Sequence, residues 1–278
     1  MSLLIDSTAG TVGGCVGVLV GSPLDVIKTR MQAAAPAQAS VFAVLRETWT
    51  RSGLRGLFRG SLASCLGQAP NNAIVFGTFG SVRRLLDGES SSGAASVANV
   101  FAAGSVAGAL QAVAVAPFDG VKVQQQVSIA SAPSLISVAR NQLRHGVLMR
   151  GAVATIMRDT PTCGAYFASY EAVCAMWRTR DEADARCEPP VLVTLFAGGI
   201  AGLLSWSLAL PLDVIKSRVQ STPPQAPTPR ISDVAVALYA EAGLKGFFKG
   251  ALPCILRAVP VNAVTFLVYD KCLRLLVA

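Results

Sequence analysis

Long apolar stretches alternate with shorter polar connections along this chain. Six such stretches lie at about residues 3–32, 60–86, 96–126, 151–178, 190–220 and 251–277. Because about 20 apolar residues in an α-helix cross the roughly 30 Å hydrocarbon core of a bilayer, the pattern predicts six transmembrane helices. Apolar residues at helical spacing in three of the connections, Val41–Thr50, Leu135–Leu143 and Ser232–Ala240, predict short amphipathic surface helices.

The composition excludes an ordinary soluble domain, since 52% of the residues are hydrophobic and only 14% are charged. The basic residues concentrate in three connections, where 15 of the 24 Lys and Arg lie within residues 28–59, 122–150 and 216–249. The intervening connections contain more acidic than basic residues. This alternation follows the positive-inside rule for a multi-span membrane protein. The net charge of +8 therefore favours an anionic lipid surface, and we expect no nucleic acid partner.

The chain offers no constellation for catalysis or metal binding. Its seven cysteines show neither a Cys-x-x-Cys pair nor metal-ligand spacing, and we expect them to be reduced. The single histidine, His145, lies in a basic connection, where a solvated side chain is expected. We therefore predict no enzyme activity, no cofactor and no metal site. The first ten residues lack the basic and apolar regions of a cleavable targeting segment, so none is predicted.

One motif, Pro-x-Asp-x-x-Lys-x-x-x-Gln, occurs three times at a constant spacing of 94 residues, beginning at Pro23, Pro117 and Pro211. A Gly-x-x-x-Gly pair precedes each copy, and we interpret it as a packing motif that lets two membrane helices approach closely. A second helix in each copy follows a basic residue and a glycine, and it contains a proline ten residues later. The chain therefore divides into three two-helix repeats. Their predicted ranges are residues 1–88, 94–180 and 190–278.

The acidic and basic residues of the motif lie three apart, so that they share one face of a helix. Charges buried singly in a membrane are very costly, which predicts that each aspartate pairs with the lysine of the next repeat in a ring. The six residues are Asp25, Lys28, Asp119, Lys122, Asp213 and Lys216. Such a ring could be a permanent clasp or a gate. Buried ion pairs add little net stability, and the gate is therefore favoured.

The second helices differ from one another where the first helices repeat. Three residues before their prolines stand Gly67, Arg158 and Arg257, and Asp159 follows Arg158. Ionisable groups inside apolar helices indicate a binding site for a solute. An internal ion pair between Arg158 and Asp159 is the alternative interpretation.

Together with Phe58-Arg59-Gly60 and Phe248-Lys249-Gly250, these motifs make the whole chain resemble the mitochondrial carrier family. The resemblance implies an all-α membrane protein with six tilted helices around a central cavity, which transports small solutes by alternating access as a monomer. It implies a multi-pass location in the mitochondrial inner membrane, with the Asp and Lys ring on the matrix side. It further implies glutamines that brace the ring, at Gln32, Gln126 and Gln220. Bound cardiolipin is implied near Gly60, Gly151 and Gly250.

The gate on the other side of the membrane departs from the family pattern of aromatic, acid and basic residues. Only Arg83, Glu171 and Asp270 remain of its charges, so we predict that this cytosolic-side gate is weak. Met149 stands where the family has an aromatic residue at one of the three lipid positions.

The resemblance also implies which residues contact the solute: Gly67, Asn71, Arg158, Asp159, Trp206 and Arg257. An Arg and acid pair on the fourth long helix is similar to carriers of amino-acid-like solutes, namely the carnitine/acylcarnitine and ornithine branch. We expect Arg158 or Arg257 to bind a carboxylate and Asp159 to balance an ammonium group. Trp206 could stack on a quaternary ammonium or only pack. Asn71 replaces a second acid, which favours carnitine. A basic amino acid carrier and a non-transporting receptor or scaffold are the alternatives.

Overall fold

The structure is a computed structural model that describes residues 2–33, 40–87, 96–128, 133–178 and 190–277. The described residues form nine α-helices and one short 3-10 helix at Gly243–Phe248. The α-helices are α1 (Ser2–Ala33), α2 (Val41–Gly56), α3 (Ser61–Asp87), α4 (Val97–Val127), α5 (Leu135–Arg144), α6 (Ala152–Arg178), α7 (Val191–Ser221), α8 (Ile231–Ala242) and α9 (Ala251–Val277). The six long helices and the three short ones confirm the predicted elements.

Two of the short helices, α2 and α5, begin at serines that cap them. Ser40 accepts a hydrogen bond from the backbone N–H of Ala43 at the start of α2, and Ser134 accepts one from Ser137 at the start of α5. Both contacts satisfy a backbone donor that has no partner within the helix. The α2 segment is longer than predicted, because it continues past a kink at Gly53, whose φ of 58° favours glycine.

Among the described residues, three helical segments are long and apolar enough by themselves to cross a membrane, at Gly10–Ala33, Val97–Val127 and Val193–Ser221. They are the first helices of the three repeats. The second helices, α3, α6 and α9, contain charged residues such as Arg83, Arg158 and Arg257, which lower their mean hydropathy. This difference is expected where the second helices contain the polar residues of a site.

The chain divides into two compact units. The first unit comprises Met1–Asn72, Val115–Ala154 and Val214–Ala278, and the second comprises Ala73–Ala114 and Thr155–Asp213. The first unit contains parts of all three repeats, including the motif segments that end α1 and α4.

Glycines permit close helix packing inside each unit. In the first unit α1 packs along α9, and a Cβ atom added to Gly17 would lie 2.3 Å from the Oγ1 atom of Thr265. In the second unit a Cβ atom added to Gly108 on α4 would lie 2.4 Å from the backbone oxygen of Asp159 on α6. The Gly-x-x-x-Gly pair of the second repeat therefore brings α4 against the part of α6 that contains a predicted site residue.

Candidate functional site

The three motif prolines lie inside α1, α4 and α7, which continue past them to the motif glutamines. The motif aspartate and lysine of each repeat consequently follow on one helical face, as their spacing predicts.

Two of the predicted ring contacts are present in the first unit. The Nζ atom of Lys122 lies 3.2 Å from Oδ2 of Asp25, and Nζ of Lys216 lies 2.5 Å from Oδ2 of Asp119. Each contact joins the aspartate of one repeat to the lysine of the next. Asp25 and Lys216 are almost completely buried. The third predicted pair, Lys28 with Asp213, stays a prediction.

Arg257 also contacts an aspartate of the predicted ring. Its NH1 nitrogen lies 3.0 Å from Oδ1 of Asp25, so that this carboxylate binds Arg257 through one oxygen and Lys122 through the other. We call Asp25, Lys122 and Arg257 the Arg257 cluster. No acidic residue is near Arg257 in the sequence, and its partner comes from the first helix of the chain.

Arg158 lies at the centre of a chain of polar contacts in the second unit. Its Nε atom is 2.5 Å from Oδ1 of Asp159, and its NH1 nitrogen is 2.6 Å from Oδ1 of Asp213. The amide of Gln111 donates to the other oxygen of Asp159 at 2.8 Å. We call these four residues the Arg158 cluster. The internal Arg158 and Asp159 ion pair that the sequence left open is present, and Gln111 is a member that the sequence analysis missed.

The remaining predicted solute contacts, Gly67, Asn71 and Trp206, are uncharged. Gly67 is buried, and a Cβ atom added there would lie 3.3 Å from Cβ of Phe118. Asn71 donates to the side chain of Asn72 at 3.3 Å. Trp206, in the second unit, is half-buried.

One residue of the predicted cytosolic-side gate, Arg83, has a contact within its own helix. Arg83 forms an ion pair with Asp87 one turn later at 3.3 Å, and Asp87 also accepts a hydrogen bond from Asn99. Glu171 is half-buried. The side chain of Asp270 lies outside the described residues.

The three brace glutamines are fully buried. Each packs against the glycine that precedes a second helix, in the pairs Gln126 with Gly60, Gln220 with Gly151 and Gln32 with Gly250. These glycines have φ angles of 78°, 83° and 85°, a backbone conformation that favours glycine. They therefore have a packing role besides the lipid role that the resemblance implies.

A second set of cross-repeat contacts involves residues that the sequence analysis missed. The residue seven positions after each motif proline donates to the backbone oxygen of the brace glutamine in the next repeat. The donor and acceptor pairs are Arg30 with Gln126 at 2.7 Å, Gln124 with Gln220 at 2.7 Å and Arg218 with Gln32 at 3.4 Å. We call them the cross-repeat caps. The same spacing of 94 residues could have revealed them, since polar donors occupy this position in every repeat.

A cavity of about 670 Å³ lies at the start of α6 and α8, and its lining includes Gly151, Ala152, Arg230 and Ile231. Two helix N-termini thus open at one cavity, which is a favourable place for an anion. The guanidinium of Arg150 instead stabilises the loop before α8, because it donates hydrogen bonds to three backbone oxygens of that loop at 2.6–3.0 Å. Burial lowers the pKa of the Arg150 guanidinium, and these three oxygens offset the cost of burying its charge.

Comparison with known proteins gives consistent results along the chain. The family described as "Mitochondrial carrier protein" matches residues 1–90, 93–181 and 188–278. The human mitochondrial carnitine/acylcarnitine carrier protein is 31% identical over 99% of this chain and 95% of its own length. The mouse mitochondrial basic amino acids transporter is 34% identical over 95% of this chain and 87% of its own length. Mitochondrial magnesium exporter 1 of Drosophila melanogaster is 36% identical over 93% of this chain and 90% of its own length. Because these identities are similar, they do not select one solute.

Proposed function

Because the chain belongs to the mitochondrial carrier family, we propose that it carries an amino-acid-like solute with one carboxylate and one cationic group, of the carnitine and acylcarnitine type. The protein is a multi-pass transporter of the mitochondrial inner membrane and not an enzyme. The choice of solute class rests on the charged side chains of the second helices.

The observation that supports this class most directly is the contact between site arginines and motif carboxylates. Arg257 binds Asp25, and Arg158 binds Asp213. A guanidinium binds carboxylates through a planar fork of donors, so a solute carboxylate can compete for the same groups. A site that already holds carboxylates on its arginines is therefore suited to a carboxylate solute.

The Arg158 cluster can accept both ends of such a solute. When a solute carboxylate takes Arg158, Asp159 and Asp213 each lose one cationic partner. The ammonium group of the same solute can then replace it at Asp159, while Gln111 keeps Asp159 oriented. A solute that had only a carboxylate would leave Asp159 buried without that compensation, which is costly.

Solute binding at Arg257 would weaken the matrix gate, because it draws Arg257 away from Asp25. Asp25 holds Lys122 and Arg257 on its two oxygens, and withdrawal of Arg257 removes one of these cations. A hydrogen bond to a charged group contributes about 1.5–3 kcal/mol. The binding energy of the solute thus offsets the loss of a gate contact, which allows the cavity to open on the other side of the membrane in alternating access.

A basic amino acid is the second candidate, favoured by the similarity to the mouse basic amino acids transporter. Its second cation would require another acidic group, and the second helix of the first repeat offers Asn71 instead. A quaternary ammonium such as that of carnitine needs no hydrogen-bond acceptor and can bind an aromatic face, for which Trp206 is a candidate.

Three further assignments belong to the proposal. Cardiolipin phosphates bind at the N-termini of α6 and α8 beside Arg230, and at the equivalent glycines Gly60 and Gly250, because helix N-termini and basic residues attract phosphate. The monomer is the functional form. The cytosolic-side gate is weak, since Arg83 already pairs with Asp87 on its own helix.

Reconstitution tests the proposal. Purified protein in liposomes that contain unlabelled solute is offered labelled carnitine, arginine, ornithine, malate and ATP in turn. We expect uptake of carnitine that is lost in Arg257→Gln and retained in Arg84→Gln, which changes an exposed arginine on α3. Uptake of malate or ATP without carnitine or the basic amino acids would contradict the solute class, and full transport by Arg257→Gln would contradict the site.

A further inference from the structure

Two cysteines of the first repeat face each other across the contact between α1 and α3. The sulfur of Cys15 lies 4.0 Å from the backbone oxygen of Cys65, and the sulfur of Cys65 lies 3.8 Å from the backbone oxygen of Cys15. Each sulfur therefore lies within 4.0 Å of the backbone of the other cysteine, and the two side chains meet at one point of the contact between α1 and α3.

Neighbouring contacts fix this pair in place. On one side Gly14 packs against Gln68, whose Cγ would lie 3.1 Å from a Cβ atom added to the glycine. On the other side the hydroxyl oxygens of Ser22 and Ser61 are 2.5 Å apart. These contacts lie on the two sides of the cysteine pair, so that the antiparallel α1 and α3 segments are packed together where the two thiols meet.

The cysteines have no role in the proposed transport site, and their surroundings leave them reachable. Both are half-buried. Cys65 lies one turn or less from Gly67, a predicted solute contact, while Cys15 lies on the helix that contains Asp25. A covalent bond between them would tie a solute-contacting helix to a gate helix.

We propose that Cys15 and Cys65 form an oxidisable dithiol, a modification site whose disulfide stops transport. The oxidant is a small-molecule disulfide. One cysteine thiolate attacks it, forming a mixed disulfide and releasing one thiolate. The second cysteine then attacks the protein sulfur of the mixed disulfide, so that the Cys15–Cys65 bond forms and the second thiolate leaves. Two electrons and two protons pass to the oxidant, which becomes two thiols.

The arrest follows from the movement that transport requires. Opening and closing of the gate needs the end of α1 with Asp25 to move relative to the solute-contacting part of α3. The disulfide prevents this movement of α1 relative to α3 in the first repeat. This consequence depends on the proposed transport function, whereas formation of the bond does not.

Wild-type protein in liposomes is treated with bis(2-hydroxyethyl) disulfide, a small neutral disulfide, and the linked peptides are quantified by mass spectrometry without reduction. We expect a peptide that joins Cys15 to Cys65, carnitine uptake that falls in proportion to the oxidised fraction, and recovery of uptake with dithiothreitol. Cys15→Ser and Cys65→Ser should transport normally and resist the reagent. Linkage without loss of uptake would overturn the proposal.

A matched variant tests whether the reagent reaches this contact. Ser22→Cys with Ser61→Cys, in a protein that also has Cys15→Ser and Cys65→Ser, places two thiols on the same pair of helices. Linkage in this variant, with none between Cys15 and Cys65 in the wild type, would also overturn the proposal. Absence of carnitine uptake in untreated wild-type protein would instead refute the proposed function, and the peptide analysis would still decide whether the dithiol forms a disulfide.

Discussion

The contact between Arg257 and Asp25 can be tested by a double-mutant cycle. Arg257→Gln removes the guanidinium but keeps part of the side-chain stem, which packs near Gly21. Asp25→Asn removes the carboxylate and keeps its shape. Each single change leaves a buried charge without one of its partners, which destabilises proteins by about 3–5 kcal/mol. The double variant lacks both charges of the pair, so its effect should be smaller than the sum of the two.

The expected coupling follows from the geometry. The two charged atoms are 3.0 Å apart, and the side chains are only 24% and 10% exposed, so that solvent screens the contact weakly. A hydrogen bond between charged groups contributes about 1.5–3 kcal/mol, which corresponds to a change of roughly 10- to 150-fold in an equilibrium. In chains of comparable size each kcal/mol shifts the unfolding temperature by about 2–4 °C. The non-additivity should therefore amount to roughly 3–12 °C.

Thermal unfolding of the purified protein in detergent, with a thiol-reactive dye, measures the three variants against the wild type. Arg84→Gln, on the exposed side of α3, is the control for loss of an arginine and should not couple to Asp25→Asn. If the effects of Arg257→Gln and Asp25→Asn simply add, Arg257 does not bind Asp25, and the mechanism by which solute binding weakens the gate is wrong.

Three further changes test other parts of the structure. Gly108→Ala places a methyl group 2.4 Å from the backbone oxygen of Asp159 and should lower the stability by about 1–3 kcal/mol. Gly10→Ala is the control, because a Cβ atom added there would meet nothing within 4 Å, and it should not lower the stability. Thermal unfolding compares the two variants. Gln124→Ala removes a donor of the cross-repeat caps, so its main effect should be a lower unfolding temperature, with a minor effect on solute affinity. An unchanged unfolding temperature would contradict a structural role. Arg230→Gln should reduce the stabilisation by added cardiolipin, and equal stabilisation of variant and wild type would exclude Arg230 from lipid binding.

The fold could be predicted from the sequence because the same pattern occurs three times. A spacing of 94 residues places equivalent residues at equivalent positions, so the contact of Asp25 with Lys122 follows from a single rule that also gives Asp119 with Lys216. The ends of the long helices follow equally well, since apolar length determines them. The end of α2 was less predictable, because a kinked helix continues past Gly53 beyond the amphipathic pattern.

The contacts of the arginines could not be predicted in this way. Arg257 and Asp25 lie on the last and first long helices, and only the packing of α9 on α1 brings them together. Gln111 was missed for a related reason: the equivalent residues are Gly17 and Ser205, so the position does not repeat. Positions that differ between the repeats have contacts that depend on three-dimensional packing, and these are also the positions where an asymmetric solute would be distinguished.

In the proposed mechanism, recognition and gating share the same charges. Arg257 holds a motif aspartate that also binds a gate lysine, and Arg158 holds the aspartate of the third motif. We therefore expect a change at either arginine to alter the stability of the gate as well as the affinity for the solute. Substitution that merely weakens binding should raise KM alone, whereas substitution that also frees a motif aspartate should change the maximal rate. Measurement of both constants for Arg158→Lys and Arg257→Lys would separate these effects, because lysine keeps the charge but lacks the planar fork of donors.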